Sequence, residues 1–281
     1  MNFIQAVLMG IVQGLSEFLP ISSSAHLVFT SNFYKVFKNI PIHEQSTQEV
    51  FFDIMLHLGT LIAVLIFFRK DVARILKAMW HALKSRNWVD YEAKLGLYIA
   101  SGTIITIVFG LMISDFAEAL IFKPAVVGML LFVTGIILLL SEYVGKKFAD
   151  KKEHVGFWTS LLIGLAQGLA ALPGFSRSGL TIATGLFSGL DRVLAARYSF
   201  LLSIPIILGA SMVYPLAKID VAEAVNYNWT AILVGTVVSG VVGYLCIKYF
   251  MKFLSKFSLA LFGYYCLIMG IFTAVFFTAN K

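Results

Sequence analysis

The sequence predicts an all-α polytopic membrane protein with six transmembrane helices, two re-entrant helical hairpins and an inverted-topology internal repeat. Three observations predict this class: few charged residues, six long apolar stretches, and two similar stretches that polar residues interrupt. Of the 281 residues, 59% are hydrophobic and only 13% are charged, and the mean hydropathy is +0.87. Soluble domains carry about 25% charged residues. Lipid is therefore the expected solvent of a single integral membrane domain over residues 1–281.

Six apolar stretches are long enough to cross a bilayer, which takes about 20 helical residues. They cover residues 50–68, 95–114, 124–140, 193–214, 229–249 and 257–277. Membrane helices are apolar nearly all round, so the lengths of these stretches and the charges that bound them, rather than periodicity, predict the spans.

Two further apolar stretches, 3–34 and 155–190, are interrupted near their centres by polar residues, proline and glycine. Pro20 is followed by three serines, and Pro173 is followed by Gly174 and a Ser-Arg-Ser run. Irregular polar backbone survives at membrane depth only where protein buries it or water reaches it. Each stretch therefore predicts a re-entrant hairpin of two short helices around a polar turn.

The basic residues predict the orientation. The net charge is +7, and most Lys and Arg residues lie in the loop 69–94, in the loop after the third span and before the last span. The loops 115–123 and 215–228 each carry one lysine. The positive-inside rule makes the first group cytoplasmic and places the first hairpin on the outer side. This bias accounts for the positive net charge, so no nucleic-acid partner is expected.

The two interrupted stretches resemble each other. Residues 10–24 and 164–178 both read Gly-x-x-Gln-Gly-Leu, then Pro, then two serines one residue apart. They predict a repeat whose copies cover about 1–145 and 155–281. Each copy has one hairpin and three spans, and because three is odd the second copy must be inverted. In such folds the functional site lies at the interface of the copies, among broken helices.

The polar residues of the two turns form a set suited to chemistry on an anion. It contains one acid, one imidazole, one guanidinium, an amide and several hydroxyls, namely Glu17, His26, Arg177, Gln13, Ser22, Ser23, Ser24, Ser176, Ser178 and Thr181. Arginine binds phosphate oxygens with two parallel hydrogen bonds, and helix N-termini favour phosphate. A serine becomes a good nucleophile only when a base is near.

Helical spacing relates several of these residues. His26 lies three residues after Ser23, and Glu17 lies four after Gln13, so each pair shares a helix face. Glu17 and Gln13 are suited to hold a divalent cation through oxygen, or Glu17 to orient His26. Structural interpretations stay open beside these: serines often serve helix packing, and Arg177 is suited to be a counter-ion of Glu17. Asp53 and His57, four apart, are interpreted as an interhelical hydrogen-bond pair.

Two segments carry a family resemblance. Residues 13–26, with Gln13, Glu17, Pro20, the serines and His26, resemble the first signature of the bacterial undecaprenyl-diphosphate phosphatases of the bacitracin-resistance type. Residues 173–181, Pro-Gly-Phe-Ser-Arg-Ser-Gly-Leu-Thr, resemble the second. The resemblance implies hydrolysis of undecaprenyl diphosphate to undecaprenyl phosphate, which recycles the lipid carrier for cell-wall synthesis and confers bacitracin resistance. It also implies an inner-membrane location, an active site on the outer side, and Mg²⁺ or Ca²⁺ as cofactor.

The resemblance implies roles as well. Ser23 would be the nucleophile, with His26 as base or acid, Glu17 orienting it or holding the cation, and Arg177 binding phosphate. A phospho-His26 intermediate is the rival mechanism.

A lipid-carrier or small-anion transporter is the alternative function, because inverted repeats with broken helices are also a transporter architecture. Type 2 phosphatidic acid phosphatases need a second suitable histidine, so that family is rejected; a purely structural scaffold is the remaining class. The oligomeric state is open, with a homodimer as one option.

Overall fold

The computed structural model describes residues 3–37, 47–218 and 227–279. Within these ranges the chain is helical, without a β-strand; one isolated parallel bridge joins Lys152 to Leu190. The helices are α1 (Phe3–Ser16), α2 (Ser23–Phe37), α3 (Thr47–Phe67), α4 (Arg69–Ser85), α5 (Tyr91–Met112), α6 (Ser114–Ile121), α7 (Pro124–Gly145), α8 (Phe157–Leu169), α9 (Arg177–Phe187), α10 (Arg192–Lys218), α11 (Trp229–Leu254) and α12 (Ala260–Ala279).

The predicted spans are confirmed. Six helices among the described residues are long and apolar enough to cross a membrane, namely α3, α5, α7, α10, α11 and α12. Each begins or ends within a few residues of its predicted stretch. Large apolar side chains such as Ile104, Leu111 and Ile268 lie exposed on these helices, as expected where lipid is the solvent.

Each predicted hairpin consists of two short helices. The first pairs α1 with α2, and the second pairs α8 with α9, which packs against it. The lengths range from 11 to 15 residues, which is about 16–22 Å at 1.5 Å per residue and short of the roughly 30 Å of a bilayer core. Their re-entrant placement in a membrane stays a prediction, since short helices alone do not define a depth.

The segment 69–94, which the sequence predicts to be a cytoplasmic loop, largely forms a helix. α4 covers Arg69–Ser85 and buries Ile75 and Ala82, and Met79 lies directly over Gly96 of α5. The many charged residues of α4 occupy the other faces of this amphipathic helix. Because charged residues are so frequent in the segment, its helical period was not recognised in the sequence. The predicted loop 115–123 likewise contains the short helix α6.

The packing of the hairpins is reciprocal between the two halves of the chain. α1, from the first half, packs against α11 of the second, and α8 packs against α5 of the first. Glycines make both contacts close: Gly10 faces the backbone of Gly235, and Gly164 faces the backbone of Gly102. Gly10 and Gly164 are equivalent positions in the sequence repeat, so both copies use the same contact.

The third spans of the two halves, α7 and α12, also pack together. Gly128 lies against Gly270, and Gly135 lies against Gly263, so two pairs of glycines with the same spacing meet in antiparallel order. This reciprocal packing is the kind of contact that an inverted repeat predicts. The inverted orientation relative to a membrane, the repeat bounds and the single-domain organisation stay predictions.

Candidate active site

The tips of the two hairpins contact each other through polar groups. The Arg177 guanidinium of the second hairpin donates a hydrogen bond to the carboxylate of Glu17 in the first. The Ser178 hydroxyl donates to the backbone carbonyl of Leu19 at 3.0 Å. The two interrupted segments therefore meet at their polar turns, as the sequence repeat suggests.

A serine caps the second helix of each hairpin. The Ser22 hydroxyl accepts a hydrogen bond from the N–H of Ala25 at 3.2 Å, and the Ser176 hydroxyl accepts from the N–H of Gly179 at 3.0 Å. Such caps satisfy N–H groups that a helix start leaves free. The first turns of α2 and α9 thus begin at the contact between the tips, where their dipoles favour an anion.

The turn before α2 is held in an unusual backbone conformation. Ser22 has a φ of 69°, in the left-handed region, and the corresponding turn before α9 uses Gly174 at 105°. A non-glycine residue rarely adopts this conformation, and such residues concentrate at functional sites. The reversal turns the first residue of α2, Ser23, towards Glu17.

Glu17 is the centre of the polar contacts. Its Oε2 accepts hydrogen bonds from the Ser23 hydroxyl at 2.6 Å and from the Gln13 amide at 2.9 Å, while its Oε1 accepts from Arg177. The Glu17 side chain is only 4% exposed. A buried carboxylate needs such donors to stay charged. The geometry pairs a serine hydroxyl with an adjacent carboxylate base, which is the arrangement that activates a nucleophile.

Two buried polar atoms at this centre have no hydrogen-bond partner in the described part of the chain. They are the Nη1 group of Arg177 and the Oε1 atom of Gln13. Leaving a buried donor or acceptor unpaired costs about 1–3 kcal/mol. An anionic ligand would supply the acceptor that the Arg177 guanidinium lacks.

Two cavities meet at the hairpin tips. The smaller, of about 320 Å³, is lined in part by Ser16, Glu17, Ser23, Ser176, Ser178 and Ile54. The larger, of about 790 Å³, is lined mostly by apolar side chains, among them Leu27, Val28, Ile107, Leu111, Ile121 and Val213. Ser24, His57 and Arg177 line both. Volumes of this size hold small molecules or part of a lipid.

The two ring nitrogens of His26 have partners other than Ser23 and Glu17. Its Nδ1 lies 2.7 Å from the backbone carbonyl of Ser22, and its Nε2 lies 2.7 Å from the hydroxyl of Tyr265 on α12. The His26 and Tyr265 rings stack with centroids 5.8 Å apart. His26 lines neither of the two cavities. The spacing from Ser23 placed both residues on α2 but did not bring them together, so a catalytic role of His26 stays a prediction.

His57 lies at the site, although the sequence interpretation gave it a structural role. Its Nε2 is 3.6 Å from Oε2 of Glu17, and its Nδ1 is 2.8 Å from the backbone carbonyl of Asp53. The sequence does contain a signal for a functional role of His57. It is an ionisable ring in an otherwise apolar span, which by default indicates function. Tyr265, the partner of His26, gave no such signal because tyrosine is common in membrane helices.

The remaining predicted residues support the backbone of the tips. Ser176 and Ser178 are buried, with hydroxyls 3.2 Å apart. Thr181 is fully buried, donates to the carbonyl of Arg177 at 2.7 Å and lies 2.6 Å from the Ser199 hydroxyl. Direct contacts of these side chains with a substrate stay predictions.

Glu17 does not fit the predicted role of a metal ligand well. In the described ranges no group of three or more His, Cys, Asp or Glu side chains is placed to hold a metal ion. Both carboxylate oxygens of Glu17 already accept hydrogen bonds, one of them from a guanidinium. A divalent cation here would need its oxygen ligands from elsewhere, and phosphate oxygens of a substrate are a common source.

Comparisons with known proteins agree with the geometry. The protein family described as Bacitracin resistance protein BacA matches residues 6–272. A protein of Methanobrevibacter smithii named undecaprenyl-diphosphatase is 41% identical over 283 residues, which cover 96% of each chain. Proteins of the same name from Halothermothrix orenii and Rubrobacter xylanophilus are 38% and 40% identical, and these alignments cover 96% and 94% of each chain. The chain therefore belongs to the bacitracin resistance protein BacA family.

Proposed function

We propose that the protein is a membrane-embedded phosphatase that hydrolyses undecaprenyl diphosphate to undecaprenyl phosphate and inorganic phosphate. This reaction recycles the lipid carrier for cell-wall synthesis. The names of the relatives support the substrate. The observation that carries the chemistry is the contact of the Ser23 hydroxyl, at 2.6 Å, with a carboxylate that also holds Arg177.

In the proposed first step, Ser23 Oγ attacks the terminal phosphorus and its proton passes to Oε2 of Glu17. The bond from phosphorus to the bridging oxygen breaks, and undecaprenyl phosphate leaves. The Arg177 guanidinium binds the non-bridging oxygens through the Nη1 group that lacks a partner among the described residues. The starts of α2 and α9 add backbone N–H donors. The hydrogen bond between Ser23 and Glu17, together with the contacts of both His26 ring nitrogens to Ser22 and Tyr265, favours this route over a phospho-His26 intermediate.

The larger cavity is proposed to hold the beginning of the isoprenoid tail. Its lining is mostly apolar, and it adjoins the polar centre along Ser24, His57 and Arg177. The headgroup would then lie on Arg177 while the tail continues towards lipid. Burial of each CH₂ group contributes about 0.8 kcal/mol, so the tail would anchor the substrate.

The location and the cofactor are proposals as well. The protein is a multi-pass membrane protein with six candidate spans, and we place it in the bacterial inner membrane with its site towards the outer side, on the distribution of Lys and Arg. Mg²⁺ or Ca²⁺ is proposed to arrive bound to the diphosphate, since Glu17 is already paired. A homodimer is an option that a mass measurement in detergent decides.

The test is phosphate release from undecaprenyl diphosphate by the purified protein, with Mg²⁺ or Ca²⁺ present. We expect Ser23→Ala and Arg177→Ala to lose several orders of magnitude in rate. Ser141→Ala is the matched control, since Ser141 is buried on α7, outside both cavities, and its hydroxyl donates to the carbonyl of Leu138 at 2.8 Å. Wild-type protein that releases no phosphate with either cation would exclude the phosphatase and favour the transporter. His26→Ala tests the role that the family resemblance implies.

A further inference from the structure

We propose that His57 is the base that activates water in the second half of this reaction, when phosphate is removed from Ser23. The inference rests on the proposed phosphatase function and extends it to a residue of α3. Three observations carry it: the tautomer of the ring, its distance from Glu17 and its access to both cavities.

The tautomer follows from the hydrogen bond of Nδ1. This nitrogen lies 2.8 Å from the backbone carbonyl of Asp53. A carbonyl oxygen only accepts, so Nδ1 carries the hydrogen and Nε2 of the neutral ring bears a lone pair. Nε2 lies 3.6 Å from Oε2 of Glu17, too far for a hydrogen bond. The His57 side chain is 34% exposed and lines both cavities, which leaves room for a water molecule beside the ring.

A second base is needed because Glu17 is occupied. After the first step Glu17 holds the proton of Ser23, and it must return that proton to Oγ when the serine leaves. It cannot accept the proton of the attacking water at the same moment. The ionisable side chains that line the smaller cavity are Glu17, His57 and Arg177, and arginine stays protonated. His26 lines neither cavity, and its ring nitrogens already contact Ser22 and Tyr265.

The proposed second step is the attack of water on phosphoserine 23. A water oxygen bonds to the phosphorus of phosphoserine 23, and one water proton passes to Nε2 of His57. The bond from phosphorus to Ser23 Oγ breaks, and Glu17 returns its proton to Oγ. Inorganic phosphate leaves, and the imidazolium of His57 releases its proton to water in the cavities. Ser23, Glu17 and His57 are then in their starting states.

The experiment is a rapid mix of His57→Gln with undecaprenyl diphosphate, followed by an acid quench. Phosphoserine survives acid and phosphohistidine does not, so mass spectrometry of the Ser23 peptide identifies the intermediate. We expect about one equivalent of undecaprenyl phosphate per protein, phosphate release slowed by about 100-fold or more, and accumulated phosphoserine at Ser23. The burst itself shows that the variant is folded. The matched control is His81→Gln, on α4 and outside both cavities, which should behave as wild type.

Two results would overturn the inference while leaving the phosphatase intact. One is phosphate release by His57→Gln within about threefold of wild type. The other is the loss of both undecaprenyl phosphate formation and phosphate release in a folded variant, which would assign His57 to the first step. Failure of the proposed function is a different result, because wild type itself would then release neither product.

Discussion

Ser23 and Arg177 occupy equivalent positions in two copies of one local structure: each is the first residue of a short helix and follows the serine that caps it. The two hairpins thus deliver a hydroxyl and a guanidinium to opposite sides of Glu17. The first serine of each pair in the sequence repeat, Ser22 and Ser176, is explained by this capping.

The cap of α9 should matter for the position of Arg177. Replacing Ser176 with Ala removes the acceptor of the Gly179 N–H and should cost about 1 kcal/mol of stability. We expect the rate of phosphate release to fall by about tenfold, because Arg177 begins the uncapped helix. Ser176→Thr keeps a capping hydroxyl and should therefore retain more of the stability and more of the rate of phosphate release than Ser176→Ala. Thermal unfolding and initial rates measure them, and equal losses in the Ala and Thr variants would contradict a capping role.

Two buried carboxylates should respond differently to the same substitution. Glu17→Gln removes the base, and we expect the rate to fall by about 10²–10⁴-fold. Glu142→Gln is the matched control: Glu142 is buried, accepts from Arg192 at 2.7 Å and from the Leu259 N–H at 2.7 Å, and lies outside both cavities. Glu142→Gln should lower the free energy of unfolding by about 1–3 kcal/mol and leave the rate of phosphate release nearly unchanged. An active Glu17→Gln protein would remove Glu17 from the chemistry.

Charge alone should not replace the guanidinium of Arg177. Arg177→Lys keeps a cation beside Glu17 but loses the planar fork that binds phosphate with two hydrogen bonds. We expect about a 100-fold fall in kcat with little change in unfolding temperature. Arg192→Lys makes the same change at the ion pair of Arg192 with the buried Glu142, and this variant should keep the activity. Full activity of the Arg177→Lys protein would show that one point charge suffices.

The close packing of α7 on α12 should depend on glycine. A Cβ atom at Gly135 would lie 2.7 Å from the carbonyl oxygen of Gly263, so Gly135→Ala forces the helices apart and should cost about 1–3 kcal/mol. At Gly110 a Cβ atom meets nothing within 4 Å. Gly110→Ala should therefore show no loss when unfolding is followed in detergent. A Gly135→Ala protein as stable as wild type would mean that these helices can separate freely.

The spans were predictable because length and apolar composition are local properties. α7, for example, follows from an apolar stretch that begins at Pro124. α4 was not predicted, because its packed face of Ile75, Met79 and Ala82 lies among basic residues, which are typical of a cytoplasmic loop. Its helical period becomes clear only once α5 is known to cover that face.

The sequence was sufficient to predict which residues form the site, but not which of them contact each other. The spacing of four correctly relates Gln13 to Glu17, since both lie in or near one helix. The contact between Ser23 and Glu17 depends on the left-handed turn at Ser22, which propensity does not predict. His57 comes from a different helix, and helical spacing cannot indicate which neighbouring helix supplies its partner.

The residues that line both cavities determine how the substrate reaches the enzyme and how the products leave it. Ser24, His57 and Arg177 border the larger, mostly apolar cavity on one side and, on the other, the smaller cavity that contains Glu17 and Ser23. In the proposed reaction the lipid product partitions back into the bilayer, whereas inorganic phosphate partitions into water, so the two products leave by separate routes. Substrate delivery then becomes two-dimensional diffusion, governed by the mole fraction of the diphosphate in the membrane rather than by its bulk concentration.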